Sequence, residues 1–263
     1  MTPLPADHRF AETVEPGAPT WVVQTGELGK GAGNDYGVVS DGLGFEDSPD
    51  CEWISGGINS KGPHALAIGR EANFLQWGFY AAPDRMTESA RRAFLNALVY
   101  VRQFDGQRPL VQKAASSRSW MDRYLRGLRK ALADDGSAGL RTYYFSLFPD
   151  EVVAATEGDP ERLAAWVDEV REYLYQEGGR RFLVDEDLRG LGLSNRRPEF
   201  LDWLRDALAE DPSDPRALRL AKRYLGEAGR DAASARAWID RNRERAFFSD
   251  LGGYRWFVDP RAR

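Results

Sequence analysis

Cysteine and histidine are scarce in this 263-residue chain: there is one cysteine, Cys51, and there are two histidines, His8 and His64. A single cysteine excludes an intramolecular disulfide, and the three residues together cannot furnish the Cys/His set of a structural zinc site. A Ser–His–Asp system has to use His64 or His8, the latter in a proline-rich start. A Cys–His nucleophile has to pair Cys51 with one of the same two. No apolar run approaches the roughly 18 residues of a membrane helix. Residues 1–21 have neither a basic n-region nor an apolar h-region, so no secretion signal is read and a cytoplasmic protein without a membrane span is expected. Positive charge is not in excess either. The formal net charge is −5, which speaks against a nucleic-acid binder that relies on phosphate contacts. Most of the basic residues are arginine, but they are interleaved with Asp and Glu as on solvated helix faces. No metal and no cofactor is expected.

What is present fits a globular protein, with 42% hydrophobic and 29% charged residues. The length allows one large domain or two small ones. Charge is unevenly placed: nine basic and fourteen acidic residues stand before residue 111, and the two signs balance after it. The composition changes at the same place, from Gly-rich with short β-type runs to Arg- and Leu-rich with helical periodicity. The reading is an α+β protein with a boundary near residues 112–117: an N-terminal arm over 1–19, a β-rich domain with one covering helix over 20–111, and a helical domain over 118–263 that carries a small two-stranded ribbon.

In the first part, residues 20–24 read as a strand, 26–37 as a glycine-rich loop, 36–40 as a short second strand, 41–50 as turns, and 52–55 as an extended piece. Two β runs follow at 65–69 and 73–80, and their nearly continuous apolar residues suit strands covered on both faces. A helix then starts at the Thr87 cap, with Glu88 in its first turn, and ends near 103–106. Ala90, Phe94, Leu98 and Val101 are its expected buried stripe.

In the second part, Trp120, Tyr124, Leu128 and Leu132 mark one amphipathic helix. Asp159-Pro160 opens another, with Leu163, Val167, Val170 and Leu174 as its stripe. Pro198 starts a third (Leu201, Leu204, Leu208), and Asp214-Pro215 a fourth (Leu218, Ala221, Leu225). The last runs over 232–245 with Ala235, Trp238, Ile239 and Asn242 on one side. Two β-type segments echo each other, Gly178-Gly-Arg-Arg-Phe-Leu-Val-Asp185 and Gly252-Gly-Tyr-Arg-Trp-Phe-Val-Asp259, and are expected to pair as a ribbon. Their flanks are read as unrelated, so no repeat architecture is expected.

Several segments invite a chemical reading. Gly26-Glu-Leu-Gly-Lys-Gly-Ala-Gly33 fits neither the P-loop nor the dinucleotide pattern and reads as a flexible loop. From Asp41, positions three and five of a calcium loop are Leu43 and Phe45, which excludes an EF-hand. A looser cation site would have to use Glu46, Asp47 and Asp50. The stretch Ser55-Gly-Gly-Ile-Asn-Ser-Lys-Gly-Pro-His64 is the best candidate, because loops at strand ends carry functional groups on rigid scaffolds. His64 is its candidate general base, and Asn59 and Lys61 are candidate binding residues beside Ser60. Asn73 is a further candidate binding residue, since it and Gln76 put amides into an apolar run where they must find partners. The aromatics Phe247, Phe248, Tyr254, Trp256 and Phe257 read as packing that pins the chain end rather than as a sugar platform.

The run His64-Ala-Leu-Ala-Ile-Gly-Arg-Glu-Ala-Asn-Phe-Leu-Gln-Trp-Gly-Phe79, followed by Pro83-Asp-Arg-Met-Thr-Glu and Phe94-Leu-Asn-Ala-Leu-Val-Tyr, resembles the terminal strand–strand–helix of ThuA-like and class I glutamine-amidotransferase-like domains of bacterial proteins. The likeness spans about residues 56–111. It implies that fold element and no activity, because Cys51 in Ser-Pro-Asp-Cys-Glu-Trp is not on the sharp strand-to-helix turn of the amidotransferase nucleophile. ThuA-like domains commonly carry Gly-His after the second strand, where this chain has Gly78-Phe79. The leading functional expectation is a non-enzymatic binding or scaffold protein with a protein partner. The alternative is a hydrolase or transferase acting on a small polar or sugar-like ligand with His64 as base.

Overall fold

A computed structural model describes residues 2–3, 19–23, 40–59, 62–134, 138–177 and 180–262. The chain divides into two units, one of Met1–Glu46 with Asp50–Pro109, the other of Asp47–Pro49 with Leu110–Arg263. The fold is α+β. Strands beside one long helix make the first unit, and helices with two small ribbons make the second.

In the first unit β1 (Thr2–Pro3) pairs antiparallel with β2 (Pro19–Thr20). A separate antiparallel sheet joins β3 (Ser40–Asp41), β4 (Cys51–Asn59), β5 (Gly62–Glu71) and β6 (Phe74–Trp77). β5 lies inside it, with β4 along one side and β3 and β6 sharing the other. β4 is longer than the expected piece at 52–55, because Gly56 and Gly57 continue it with register slips. Such bulges are common on edge strands and hinder pairing with other chains.

Three expectations change here. Of the described residues of the expected strand 20–24, only Thr20 belongs to a ladder, as the second residue of β2. The carbonyls of Val22 and Val23 instead accept from the Thr87 hydroxyl and backbone N–H, so this backbone is satisfied by a helix cap. Coverage on both faces holds for β5, where residues 65–68 are buried, but Phe74 at the start of β6 is 63% exposed. Asn73 is not inside a strand: it is an exposed residue of the tight turn between β5 and β6, beside Ala72 with φ 49°.

Helix α1 (Glu88–Val101) begins as its sequence dictates, with the Thr87 side chain accepting from the Ala90 N–H. A 3-10 turn, Arg102–Phe104, extends it. Its inner face meets the sheet through Phe94, whose ring stands edge-on to Trp77 at 5.1 Å. Val23, Ala81, Met86 and Ala90 are buried in the same cluster.

The second unit holds α2 (Met121–Ala133), α3 (Ala138–Phe145), α4 (Asp150–Ala155), α5 (Pro160–Val170), β7 (Leu174–Tyr175), β8 (Leu183–Val184), α6 (Glu186–Leu191), α7 (Pro198–Glu210), α8 (Pro215–Leu225), α9 (Ala232–Asn242), β9 (Ala246–Ser249) and β10 (Arg255–Val258). The expected caps are present: Asp159 accepts from the N–H groups of Glu161 and Arg162, and Asp214 from that of Arg216; Asp231, not singled out in the sequence, caps α9 by accepting from the Ser234 N–H. One core joins α2 and α5 through Met121, Leu128, Leu163 and Val167. A second joins α7, α8 and α9 through Leu204, Leu220, Tyr224 and Ile239.

The echoing β segments do not pair with each other. Each closes on the strand just before it, β8 on β7 and β10 on β9, because a short loop costs less closure entropy than one of some seventy residues. Their flanks do repeat, against expectation. Trp166-Val-Asp-Glu-Val-Arg-Glu172 ends α5, and Trp238-Ile-Asp-Arg-Asn-Arg-Glu244 ends α9. Each run passes into a 3-10 turn, Arg171–Tyr173 or Arg243–Arg245, and then come a strand, a Gly-Gly stretch, a second strand and an aspartate. The N–H of Asp185 donates to the Tyr173 carbonyl and that of Asp259 to the Arg245 carbonyl, both at 2.9 Å. Arg171 reaches Asp122 at the start of α2, and Arg243 reaches Asp202 near the start of α7, both at 2.8 Å. The second unit therefore contains one helix–hairpin arrangement twice, and the second copy has two extra hairpin residues, Asp250 and Leu251.

Candidate interaction surface

α1 has two apolar faces. At about 100° per residue, Ala90, Phe94, Ala97 and Val101 centre on one side, and that side meets the sheet. Leu98, expected in the buried stripe, stands about 80° from Ala90 around the helix and is 45% exposed. Leu95 and Val99 lie further round and are 59% and 69% exposed. These three side chains are neighbours at i, i+3 and i+4, so they form one apolar ridge facing outward. Glu88, Arg91, Arg92 and Arg102 are exposed at its ends, and Glu88 and Arg92 pair with each other.

The C-terminal end of α1 is held to the sheet by a charged tie. Arg70 on β5 donates from Nε to Glu52 on β4 at 3.0 Å and from Nη1 to the Ala72 carbonyl at 2.9 Å. Its guanidinium lies 3.7 Å from the centroid of the Phe104 ring. The Tyr100 hydroxyl donates to the same Glu52 oxygen. Chiefly this bond from Tyr100, helped by Arg70 against the effect of burial, holds the Glu52 carboxyl below its usual range. The same bond pushes the Tyr100 phenol up.

The sign of the pH effect follows. Glu52 titrates lower in the folded protein than in the unfolded one, so its stabilisation is complete above the ordinary carboxyl value of 4.5 and is lost as pH falls through the lowered one. Glu52→Gln is therefore expected to lower the melting temperature of the first unit at pH 7 and to lower it less at pH 3. Calorimetry at both values checks this, and an equal deficit at the two pH values contradicts it.

The buried charges of the second unit are also engaged. Arg118, 3% exposed, donates from Nε to both Asp250 oxygens at 3.0 and 3.1 Å, from Nη1 to the Arg171 carbonyl, and from Nη2 to Asn195 Oδ1 and the Leu174 carbonyl. Asp250 also accepts from Ser117 Oγ and the Arg118 N–H. A guanidinium with every nitrogen bonded is a structural tie. Asp47 accepts from Ser249 Oγ and from the N–H groups of Asp250 and Leu251. Burial, with the nearby Asp250 charge, pushes its carboxyl up against those bonds. Asp185 caps α6 and accepts from Arg223 and the Tyr224 hydroxyl.

The residues singled out in the sequence are spread over several elements. Asn59 ends β4 and His64 lies in β5, but their side chains, and the whole of Ser60 and Lys61, lie outside the described residues. So do the expected loop at 26–37 and residues 36–39 of the expected second strand. Asn73 is exposed on its turn, while Gln76 donates to the Leu66 carbonyl at 3.2 Å. Cys51 faces Glu71 across the β4–β5 ladder. The terminal aromatics pack: Tyr254 and Trp256 are buried, and Trp256 Nε1 donates to the Asn195 carbonyl at 2.9 Å. Among the described residues, no group of three or more His, Cys, Asp or Glu is placed to hold a metal ion, and no helix is long and apolar enough to cross a membrane. Among the described residues, open depressions lie along α1 beside Glu88, Arg92 and Asn96 and along α9 beside Arg230, Trp238 and Arg241.

Sequence reasoning missed the ridge, although its signal was there: Leu95 and Val99 are apolar residues off the expected stripe. The Arg118–Asp250 tie had no local signal. In comparisons with known proteins, no family model, no curated protein and no solved structure matches the chain.

Proposed function

We propose that this is a non-enzymatic binding or scaffold protein that docks a protein partner on the first unit. The exposed ridge of Leu95, Leu98 and Val99 on α1 carries the reading. An amphipathic helix needs one apolar face to hold it to its sheet, and this helix has a second one rimmed by charge, the layout of a docking patch. The doubled helix–hairpin arrangement of the second unit supports the scaffold side of the reading, since stacked copies of one module are a common binding framework. The order β5, β6, α1 also supports the resemblance to the terminal strand–strand–helix of ThuA-like domains as part of this proposal, with no catalytic residue carried over.

A photo-crosslinking amino acid at position 99 tests the reading in an extract of the source cells. Discrete crosslinked species, lost when Leu95→Glu is added and not produced by the same probe at the exposed Arg216 of α8, support it. The same result from both positions, or no crosslink at 99, overturns it.

A further inference from the structure

We infer that the occupant of the α1 ridge is a second copy of this chain, packed antiparallel across a two-fold axis near Leu95. The inference rests on the ridge being a docking surface and deepens that reading. Two-fold pairing needs a patch complementary to itself, and the arrangement of side chains along α1 has that property. Glu88, Arg91, Arg92, Leu95, Leu98 and Val99 share one side of α1 at spacings of three, four and seven residues, and Arg102, the first residue of the 3-10 turn that extends α1, follows Val99 by three and Leu98 by four. An axis at position 95 sets Leu95 against Leu95 of the second copy. It sets position 98 against 92 and 99 against 91, where the aliphatic stems of the arginines cover Leu98 and Val99 while their charged heads reach water. It also sets Glu88 against Arg102, twice by symmetry. Both residues are exposed, and Glu88 bonds to Arg92 within its own helix, an exposed pair that costs little to exchange. A parallel pairing would instead put Arg91 and Arg92 against their own copies and Glu88 against Glu88. The charges therefore select the antiparallel arrangement. Three aliphatic side chains make a small core, so the dimer is weak and its population depends on concentration.

Sedimentation equilibrium of the full chain from low micromolar to millimolar concentration tests this. Wild-type mass should rise from one chain toward two. Leu95→Glu should weaken association at least about tenfold, which is 1.4 kcal/mol. Glu88→Arg alone and Arg102→Glu alone should each weaken it about threefold or more, and the double exchange should restore it. All three positions are exposed, and unchanged circular dichroism and melting temperature of each variant exclude misfolding as the cause. A monomer at every concentration, a dimer indifferent to Leu95→Glu, or a double exchange that fails to restore association overturns the inference. The crosslinking probe at position 99 separates the two levels: a monomer whose probe still captures another protein in a Leu95-dependent way overturns self-pairing alone. A monomer whose probe captures nothing overturns the docking reading as well.

Discussion

Arg118→Met is expected to cost the second unit about 3–5 kcal/mol, because it leaves a buried carboxylate without its counter-charge. Asp250 is 6% exposed and would keep only the Ser117 hydroxyl and one backbone N–H. The carbonyls of Arg171 and Leu174 and the amide oxygen of Asn195 would each lose a donor at the same time. At about 2–4 °C per kcal/mol for a unit of this size, the calorimetric transition of the second unit should fall by about 6–20 °C. The double variant Arg118→Met with Asp250→Leu should lose less than the sum of the single losses, since it removes both charges rather than stranding one. A single-variant loss under about 1 kcal/mol would show that the tie is solvated in solution and contributes as a surface pair does.

Gly229→Ala is the second large loss expected. Gly229 is buried at the end of the 3-10 turn that follows α8. A Cβ built there stands 1.9 Å from the Ala221 carbonyl oxygen and 2.2 Å from its carbon. Those are backbone atoms of α8, so no rotamer change can clear them, and the turn must move away from the helix it closes against. Overpacking of this kind costs about 3 kcal/mol, or about 6–12 °C in the same calorimetric transition. Gly190→Ala is the control: it lies inside α6 with nothing within 4 Å of its added Cβ. The gain in helix propensity should stabilise that variant by about 0.5–1 kcal/mol. Equal effects at the two glycines would contradict the close approach at Gly229.

The elements legible in the sequence are those whose signals are local. Asp159-Pro160 and Asp214-Pro215 state a cap and a first turn in two residues, and α5 and α8 begin there. Thr87 caps α1 for the same reason. The stripe Leu163, Val167, Val170 and Leu174 is fully buried, because α5 packs one face and Leu174 continues into the ribbon. The short helices α3, α4 and α6 went unread, since six to eight residues hold too few turns to show a period. The repeat was half-legible. Its two β segments align by eye, but the matching Trp-x-Asp-x-x-Arg-Glu runs have different neighbours, and the two extra residues in the second hairpin break the alignment between them.

The candidate surface divides in the same way. Apolar residues at 90, 94, 95, 98 and 99 were readable as a helix with much apolar surface, but periodicity gives directions around an axis and not what lies in each direction. Leu98 went to the outer side because the sheet meets α1 through Trp77 and Glu52, residues that the local pattern of α1 does not contain.

Composition and local pattern were thus enough to exclude an intramolecular disulfide and a structural Cys/His zinc site, to define the α+β class, and to place most helix starts, because each rests on the chemistry of one residue or of neighbours within a turn or two. Strand partners, the Arg118–Asp250 bond between residues 132 positions apart, and the outward aim of Leu95 and Val99 came only with the folded chain. Each depends on which distant segment comes to lie against a surface, and that is settled by packing and loop closure over the whole unit rather than by the preferences of the residues themselves.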